Sequence, residues 1–299
     1  MIAVVSHDAG GAEILSSWLL KQKEPYCLVL DGPAKKIFKR KQGDIKVVSL
    51  EEAIDSCNWM LCGTSWQSNL ERRAIIGCIA AGKKVIAYLD HWVNYLERFQ
   101  ENGILNLPDE IWVGDTYAKE IAKSVFPELP IILVPNPYFH DLKKELLVLN
   151  QAPRNLSHKK SILYVCEPIR EHALLQYGDE RHWGYTEEEA LIFFLANLSA
   201  FNTEISQIVV RPHPSEETNK YNWAIKKNSI NIKIGGDADL FNEIASSDIV
   251  VGCSSMAMVI GLLANKRVIS SIPPGGMKCS LPHAEIENMQ TLIHQNVNQ

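Results

Sequence analysis

Short runs of branched apolar residues alternate along this chain with longer stretches whose apolar positions recur every three or four residues. Residues 2–6, 27–30, 47–49, 59–62, 85–89, 111–113 and 131–134 predict strands, and residues 13–20, 50–55, 69–81 and 117–125 predict the helices between them. The strand runs are apolar throughout and do not alternate, as expected for a parallel sheet covered on both faces. The pattern breaks over residues 149–160, where Asn150-Gln151-Ala152-Pro153-Arg154-Asn155 is polar, carries a proline and has no period. An interdomain linker belongs there.

Beyond it the rhythm restarts. Strands are predicted at 161–166, 208–211, 230–234, 249–251 and 267–271, and helices at 186–199, 239–245 and 256–263. Thr186 followed by three glutamates is a helix start, with acidic groups at the positive end of the dipole. The stretch 285–295 predicts a closing helix that packs back against the first domain. The resulting expectation is an α/β chain of two Rossmann-like domains facing a cleft, residues 1–150 and 156–299, with ligands beyond the carboxyl ends of the strands.

Composition narrows the classes. With 299 residues and 46% hydrophobic content, two buried cores are affordable. A formal charge of -5, with Lys35-Lys36 and Lys39-Arg40-Lys41 as the one basic cluster, argues against a nucleic-acid binder. Seven cysteines without a CxxC pair predict reduced thiols. The first residues run straight into a strand, and no apolar stretch approaches the ~18 residues of a membrane span. A soluble, cytoplasmic protein is expected, a location compatible with peripheral attachment at the inner face of the membrane.

Chemistry-bearing residues cluster at strand ends. Val209-Val210-Arg211-Pro212-His213-Pro214 delivers an arginine and a histidine, the latter held between prolines that limit its backbone freedom. Ser247-Asp248-Ile249-Val250-Val251-Gly252-Cys253-Ser254-Ser255 delivers two hydroxyls and free amides where a helix begins, groups that suit a phosphate. Ser254 and Ser255 also suit plain helix capping, and the two roles are compatible. Cys166-Glu167-Pro168-Ile169-Arg170 ends another strand, so Glu167 and Arg170 face either a nucleotide or a salt bridge. In Ser6-His7-Asp8-Ala9-Gly10-Gly11, the glycines permit a tight turn and close ligand approach. Asp8 there is a helix cap, or else either Asp8 or His7 is a general base reaching an acceptor hydroxyl.

Tyr88-Leu89-Asp90-His91-Trp92, with Arg98 downstream, mixes aromatic and charged groups in the way that sugar binding uses. A satellite core with Asp90 as a cap is the competing reading. Asp237-Ala238-Asp239 has metal-binding DxD spacing but precedes a helix, where aspartates cap; no metal and no cofactor are expected. Asn136-Pro137 and His140-Asp141 read as hinge and turn residues.

Arg211-Pro212-His213-Pro214 resembles the HP motif, and Ser254-Ser255 the S motif, of bacterial GT-B sialyltransferases and polysialyltransferases. Residues 247–270 are similar to the matching region of capsule-polysaccharide enzymes and CDP-glycerol glycerophosphotransferases. The resemblance implies a GT-B glycosyltransferase whose second domain holds a nucleotide-sugar donor and whose first holds a glycan or lipid-linked acceptor. His213 would neutralise the donor phosphate, Ser254 and Ser255 would hydrogen-bond it, and Arg211, Pro214, Gly252 and Glu167 would complete the nucleotide site. His7, Gly10, Gly11, His91, Trp92 and Arg98 would bind the acceptor. These families usually carry an acidic Asp/Glu-Asp/Glu-Gly base motif that this chain lacks in that form, so Asp8 stands in as the base, with Asp90 as second candidate. A CMP-activated nonulosonic acid is the expected donor. A UDP-GlcNAc 2-epimerase-type epimerase or hydrolase, a CDP-glycerol-type transferase and a non-catalytic sugar-nucleotide binder are the alternatives.

Overall fold

The computed structural model describes residues 1–65, 68–150, 158–227 and 230–297. It divides into two compact units, Met1–Asp141 and Leu142–Gln299. In the first, β1 (Ile2–Ser6), α1 (Ala9–Leu19), β2 (Tyr26–Leu30), α2 (Gly32–Gln42), α3 (Leu50–Ser56), β3 (Trp59–Cys62), α4 (Leu70–Ala80) and β4 (Lys84–Leu89) follow in order. A small antiparallel hairpin, β5 (Gln100–Glu101) and β6 (Ile104–Leu105), precedes β7 (Glu110–Val113), α5 (Thr116–Val125) and β8 (Ile131–Leu133), and α6 (Pro137–Asn150) starts in this unit and runs past its boundary.

The six-stranded sheet has the order β2-β1-β3-β4-β7-β8, parallel throughout. All five residues of β1 are buried, because helices cover both faces of this central strand. The strand expected at 47–49 is reduced to one parallel bridge between Leu28 and Val47, where the Val48 amide also donates to the Leu28 carbonyl at 2.9 Å. It stops there because Ser49 turns out of the sheet to cap α3, accepting from the Glu52 amide at 3.0 Å. Asn136 and His140, expected in a hinge, belong instead to the start of α6. The Asn136 side chain accepts from the amides of Tyr138 and Phe139, and Pro137 takes the first helical position, where no amide is needed.

The second unit contains β9 (Lys160–Val165), α7 (Ile169–Tyr177), α8 (Glu187–Ala196), a 3-10 turn (Leu198–Phe201), β10 (Ile205–Arg211), α9 (Asn222–Lys227) and β11 (Ile232–Ile234). It continues with α10 (Leu240–Ser246), β12 (Ile249–Gly252), α11 (Met256–Leu263), β13 (Arg267–Ser270), β14 (Ile286–Asn288) and α12 (Met289–Val297). Its sheet runs β11-β10-β9-β12-β13-β14, again parallel. The predicted start of α8 is a complete capping box: Thr186 accepts from the Glu189 amide, and the Glu189 carboxylate accepts from the Thr186 amide.

The closing segment opens as a sixth strand, β14, before turning helical. The apolar face of α12 (Met289, Leu292, Ile293) joins the second domain's own core around Phe194, Phe201 and Ile208, so this face is not spare for the first domain. Tyr164, Phe194 and Phe201 form the aromatic spine of that core, with ring centroids 5.0 and 5.9 Å apart. The linker residues 151–155 lie outside the described residues.

In both sheets the chain leaves its first strand to one side and later returns to the other. Two switch points result, between the carboxyl ends of β1 and β3 and between those of β9 and β12, the positions at which sheets of this kind bind ligands. Phe194 fills the middle of the second core, so Phe194→Ala should destabilise that domain by about 3 to 5 kcal/mol. Chemical denaturation would measure this; a loss below about 1 kcal/mol would show that the core is not organised around it.

Candidate functional site

At the first switch point, the loop after β1 carries His7, Asp8, Gly10 and Gly11. Asp8 has the extended backbone of a helix N-cap, yet its side chain makes no capping bond. Its Oδ1 instead lies 2.7 Å from Nδ1 of His7. An ionised carboxylate only accepts, so Nδ1 carries the hydrogen and Nε2 of His7 keeps its lone pair. Gly32 lies against that nitrogen: with φ of +50° it adopts a conformation glycine tolerates, and a Cβ there would stand 2.6 Å from Nε2. A side chain at position 32 would cover the lone pair.

Glu71, in the first turn of α4 after β3, reaches back across the switch point and accepts from the His7 amide at 2.7 Å. It is 2% exposed, and its Oε2 has no partner. Burial drives its pKa up to about 7, with Asp8 pushing the same way, while the hydrogen bond from the His7 amide opposes the shift. Sequence reading missed this residue, because a glutamate in a first helical turn passes for ordinary dipole pairing.

Asp90 and Arg98 belong to the same cluster. Arg98 Nη1 donates to Asp90 Oδ1 at 2.6 Å and to Thr64 Oγ1 at 2.7 Å, and Thr64 follows β3. Asp90 Oδ2 lies against Gly10, where a Cβ would approach it to 2.0 Å. Arg98, expected to touch an acceptor, is buried and ties the ends of β3 and β4 together. Trp92 is also buried, its indole N–H donating at 3.0 Å to Asp115, the residue that caps α5. The Trp92 amide donates to Nδ1 of His91 at 2.9 Å. His7, Asp8, Gly10, Asp90 and Arg98 therefore form one cluster, with Gly11 packed on Gly63, while Trp92 is anchored at the start of α5.

At the second switch point the decisive contact is made by Glu167. Its Oε1 accepts from the amides of Cys253 at 3.0 Å and Ser254 at 2.8 Å, at the start of α11. The amides that sequence reading offered to a phosphate are thus held by a carboxylate of the protein itself. That carboxylate is withdrawn from water although the residue as a whole is only partly buried. Burial raises its pKa to about 7; the hydrogen bonds from Ser254, Cys253 and Ser255 act against this, and Glu216 adds to it. Ser255 caps α11 by accepting from the Ala257 amide at 3.2 Å, and Ser254 Oγ accepts from the Ser280 amide at 3.1 Å. Both hydroxyls keep a hydrogen to donate. Gly252 lets β9 and α11 pack closely, since a Cβ would lie 2.8 Å from Val165 of β9 and 3.1 Å from Met258 of α11.

His213 is positioned from two directions. Its amide donates to Glu216 at 2.8 Å, and Glu216 is itself held by Lys220 at 2.8 Å and the Tyr221 hydroxyl at 2.7 Å. The Ser215 amide donates to Nδ1 at 3.2 Å and the Ser215 hydroxyl lies 2.8 Å from the same nitrogen; with Nδ1 accepting, the ring hydrogen sits on Nε2. Burial and the nearby His172 ring lower the His213 pKa, outweighing Glu216 and Glu171. The imidazole is therefore neutral near pH 7, with an N–H to offer. Pro214 is exposed in the turn that follows.

Three basic residues near these strand ends are already paired. Arg211 donates to Glu243 at 2.7 Å and to the Ala238 carbonyl at 2.9 Å, Arg170 to Glu188 at 2.6 Å, and Lys220 pairs with Glu187 as well as Glu216. Asp239 of the DxD sequence caps α10, accepting from the Asn242 amide at 2.9 Å. Among the described residues, no group of three or more His, Cys, Asp and Glu side chains is arranged to hold a metal. All seven cysteines are free, and no described helix is long and apolar enough to cross a membrane.

No protein-family model matches the chain. No curated protein matches it either. Among solved structures, it resembles UDP-GlcNAc 2-epimerase from Methanocaldococcus jannaschii at a TM-score of 0.60 and 11% identity, over 90% of this chain and 83% of that one. A putative UDP-N-acetylglucosamine 2-epimerase from Listeria monocytogenes gives 0.60 and 15%, over 99% and 87%. An alpha/beta-galactoside alpha-2,3-sialyltransferase from Photobacterium phosphoreum is more distant, at 0.47 and 11%, over 97% and 98%. At such identities the two epimerase likenesses extend to the fold alone, a pair of parallel α/β domains.

Two predictions follow from the first cluster. A methyl group at Gly10 must displace Asp90 from Arg98, so Gly10→Ala should lose about 2 to 3 kcal/mol of stability in denaturant titration; an unchanged midpoint contradicts this packing. Glu71 has a native pKa above its unfolded one, so its stabilising contribution is complete below about pH 4.5 and is lost as pH rises through about 7. The loss should reach roughly 2 to 3 kcal/mol by pH 8. Thermal unfolding of Glu71→Gln should therefore fall less steeply than wild type between pH 5 and 8. Parallel curves would contradict the assignment.

Proposed function

We propose that this protein is a glycosyltransferase that uses a nucleotide-sugar donor, with the second domain gripping the leaving phosphate. The observation that carries the reading is His213, a neutral imidazole whose Nε2–H is fixed by Ser215 and Glu216 at the end of β10. As the bond between the sugar's anomeric carbon and the phosphate oxygen breaks, negative charge collects on the phosphate. A preorganised N–H stabilises that charge without reorganising. The hydroxyls of Ser254 and Ser255 supply further donors, and Arg211 acts indirectly, by holding the end of β10 to α10.

The acceptor hydroxyl loses its proton to the His7–Asp8 pair. Asp8 holds Nδ1 and stabilises the imidazolium that forms, while Nε2 takes the proton. The base originally assigned to Asp8 alone is here shared, and Asp90, engaged by Arg98 and packed on Gly10, acts as a support. A CMP-activated nonulosonic acid is the donor that the HP and S motif resemblance favours, and a cell-surface glycan the acceptor. In this reading the first domain activates the acceptor and the second binds the donor, in the manner of a GT-B enzyme, in the cytoplasm or at the inner membrane face.

The fold likeness to two UDP-GlcNAc 2-epimerases favours a second reading, an epimerase or hydrolase acting on the sugar nucleotide without an acceptor. The products separate the two. A transferase releases nucleotide in step with sugar appearing on an added glycan, whereas nucleotide or isomerised sugar formed without acceptor points to the second reading. In the transferase, His213→Ala should lose about 2 to 4 kcal/mol of transition-state stabilisation, roughly 30- to 1,000-fold in kcat. Asp8→Asn and His7→Ala should stop transfer while donor binding, followed by calorimetry, persists. Full turnover by a folded His213→Ala protein would overturn the role of the second site, and retained transfer by both first-domain variants would overturn the base.

A further inference from the structure

Resting on the nucleotide-sugar reading above, we propose that Glu167 sets the charge of the phosphate that the second domain accepts. By filling the Cys253 and Ser254 amides of the turn that leads from β12 into α11, its carboxylate fits the site to a phosphodiester of one charge, as in a nucleoside-monophosphate sugar, and disfavours a diphosphate.

Three observations support this. First, the turn that enters a helix at a switch point can offer its amides to a ligand's anionic oxygens, but those of Cys253 and Ser254, just ahead of the Ser255 N-cap, are taken by Glu167 at 3.0 and 2.8 Å. Second, three basic groups near these strand ends are spent on partners of the protein: Arg211 on Glu243, Arg170 on Glu187 and Glu188, and Lys220 on Glu187 and Glu216. Third, the ligand-facing groups at the ends of β10 and β12 are uncharged, namely His213 Nε2–H and the hydroxyls of Ser254 and Ser255. Neutral donors suit a single charge, and every added phosphate brings another negative charge toward a fixed carboxylate. The groups acting on Glu167 from neighbouring elements reinforce that bias: Glu216 near His213, Tyr164 on β9, Cys166 just after it, Cys253 just after β12 and Tyr185 before α8 contribute no positive charge.

The test is calorimetric titration of the full chain at pH 8, above the range in which Glu167 titrates. The probes are the 5′-methyl phosphate and 5′-methyl diphosphate esters of cytidine and of uridine. Wild type should bind the monophosphate ester about tenfold more tightly than the diphosphate ester of the same nucleoside. Glu167→Gln keeps the shape and removes the charge. It should tighten diphosphate binding by about tenfold and change monophosphate binding by less than about threefold. Wild-type preference for the diphosphate ester overturns the proposal without recourse to any variant, as does a folded Glu167→Gln protein with the wild-type ratio. Binding of none of the four esters overturns the nucleotide-sugar reading and this proposal with it. Binding without discrimination overturns the proposal alone.

Discussion

The structure turns on a carboxylate set across each switch point. A doubly wound parallel sheet must part its loops where the strand order reverses, leaving backbone amides there without partners in the sheet. Here glutamates fill the gap from opposite directions. Glu167 reaches from the end of β9 to the start of α11, and Glu71 reaches from α4 back to the amide after β1. Burial brings both to a pKa of about 7, so each switch point is held by a group near the balance between charged and neutral forms.

That constraint explains why the surrounding cations are not available as anion receptors. Arg211, Arg170 and Lys220 are occupied in neutralising Glu243, Glu187, Glu188 and Glu216, and the last of these in turn fixes His213. Around the second switch point, charge is used to position side chains, and neutral N–H and O–H groups are left to meet a ligand. The first switch point follows the same plan. Arg98 is spent on Asp90 and Thr64, while the His7–Asp8 pair keeps an unshared nitrogen facing the side-chain-free Gly32.

Much of the fold was legible because a strand buried on both faces must be apolar along its whole length. β1, β3, β9, β12 and their neighbours announce themselves this way. The failures have equally local causes. Residues 47–49 carry strand chemistry, but Ser49 ends the run by capping α3. Residues 286–288 form an edge strand of mixed polarity, which apolar periodicity cannot distinguish from the helix it precedes. The site was legible as a set of strand ends: Glu167 follows β9, His213 follows β10 and Ser254 follows β12. Their wiring was not legible. Sequence cannot show that Glu167 covers the amides of Ser254, that Trp92 is buried on Asp115, or that Asp8 turns from its helix toward His7, because each depends on which long-range partner wins a competition between several adequate ones.

The central claim is that His213 presents a fixed Nε2–H to the phosphate of a nucleotide. The most direct measurement is the imidazole 15N spectrum of the intact protein, assigned with a His213→Gln variant and recorded with and without CMP. The account predicts a neutral Nε2–H tautomer in the free protein and a downfield proton shift at that nitrogen when CMP binds. A His213 ring in the Nδ1–H form, or one unmoved by any bound nucleotide, would contradict it.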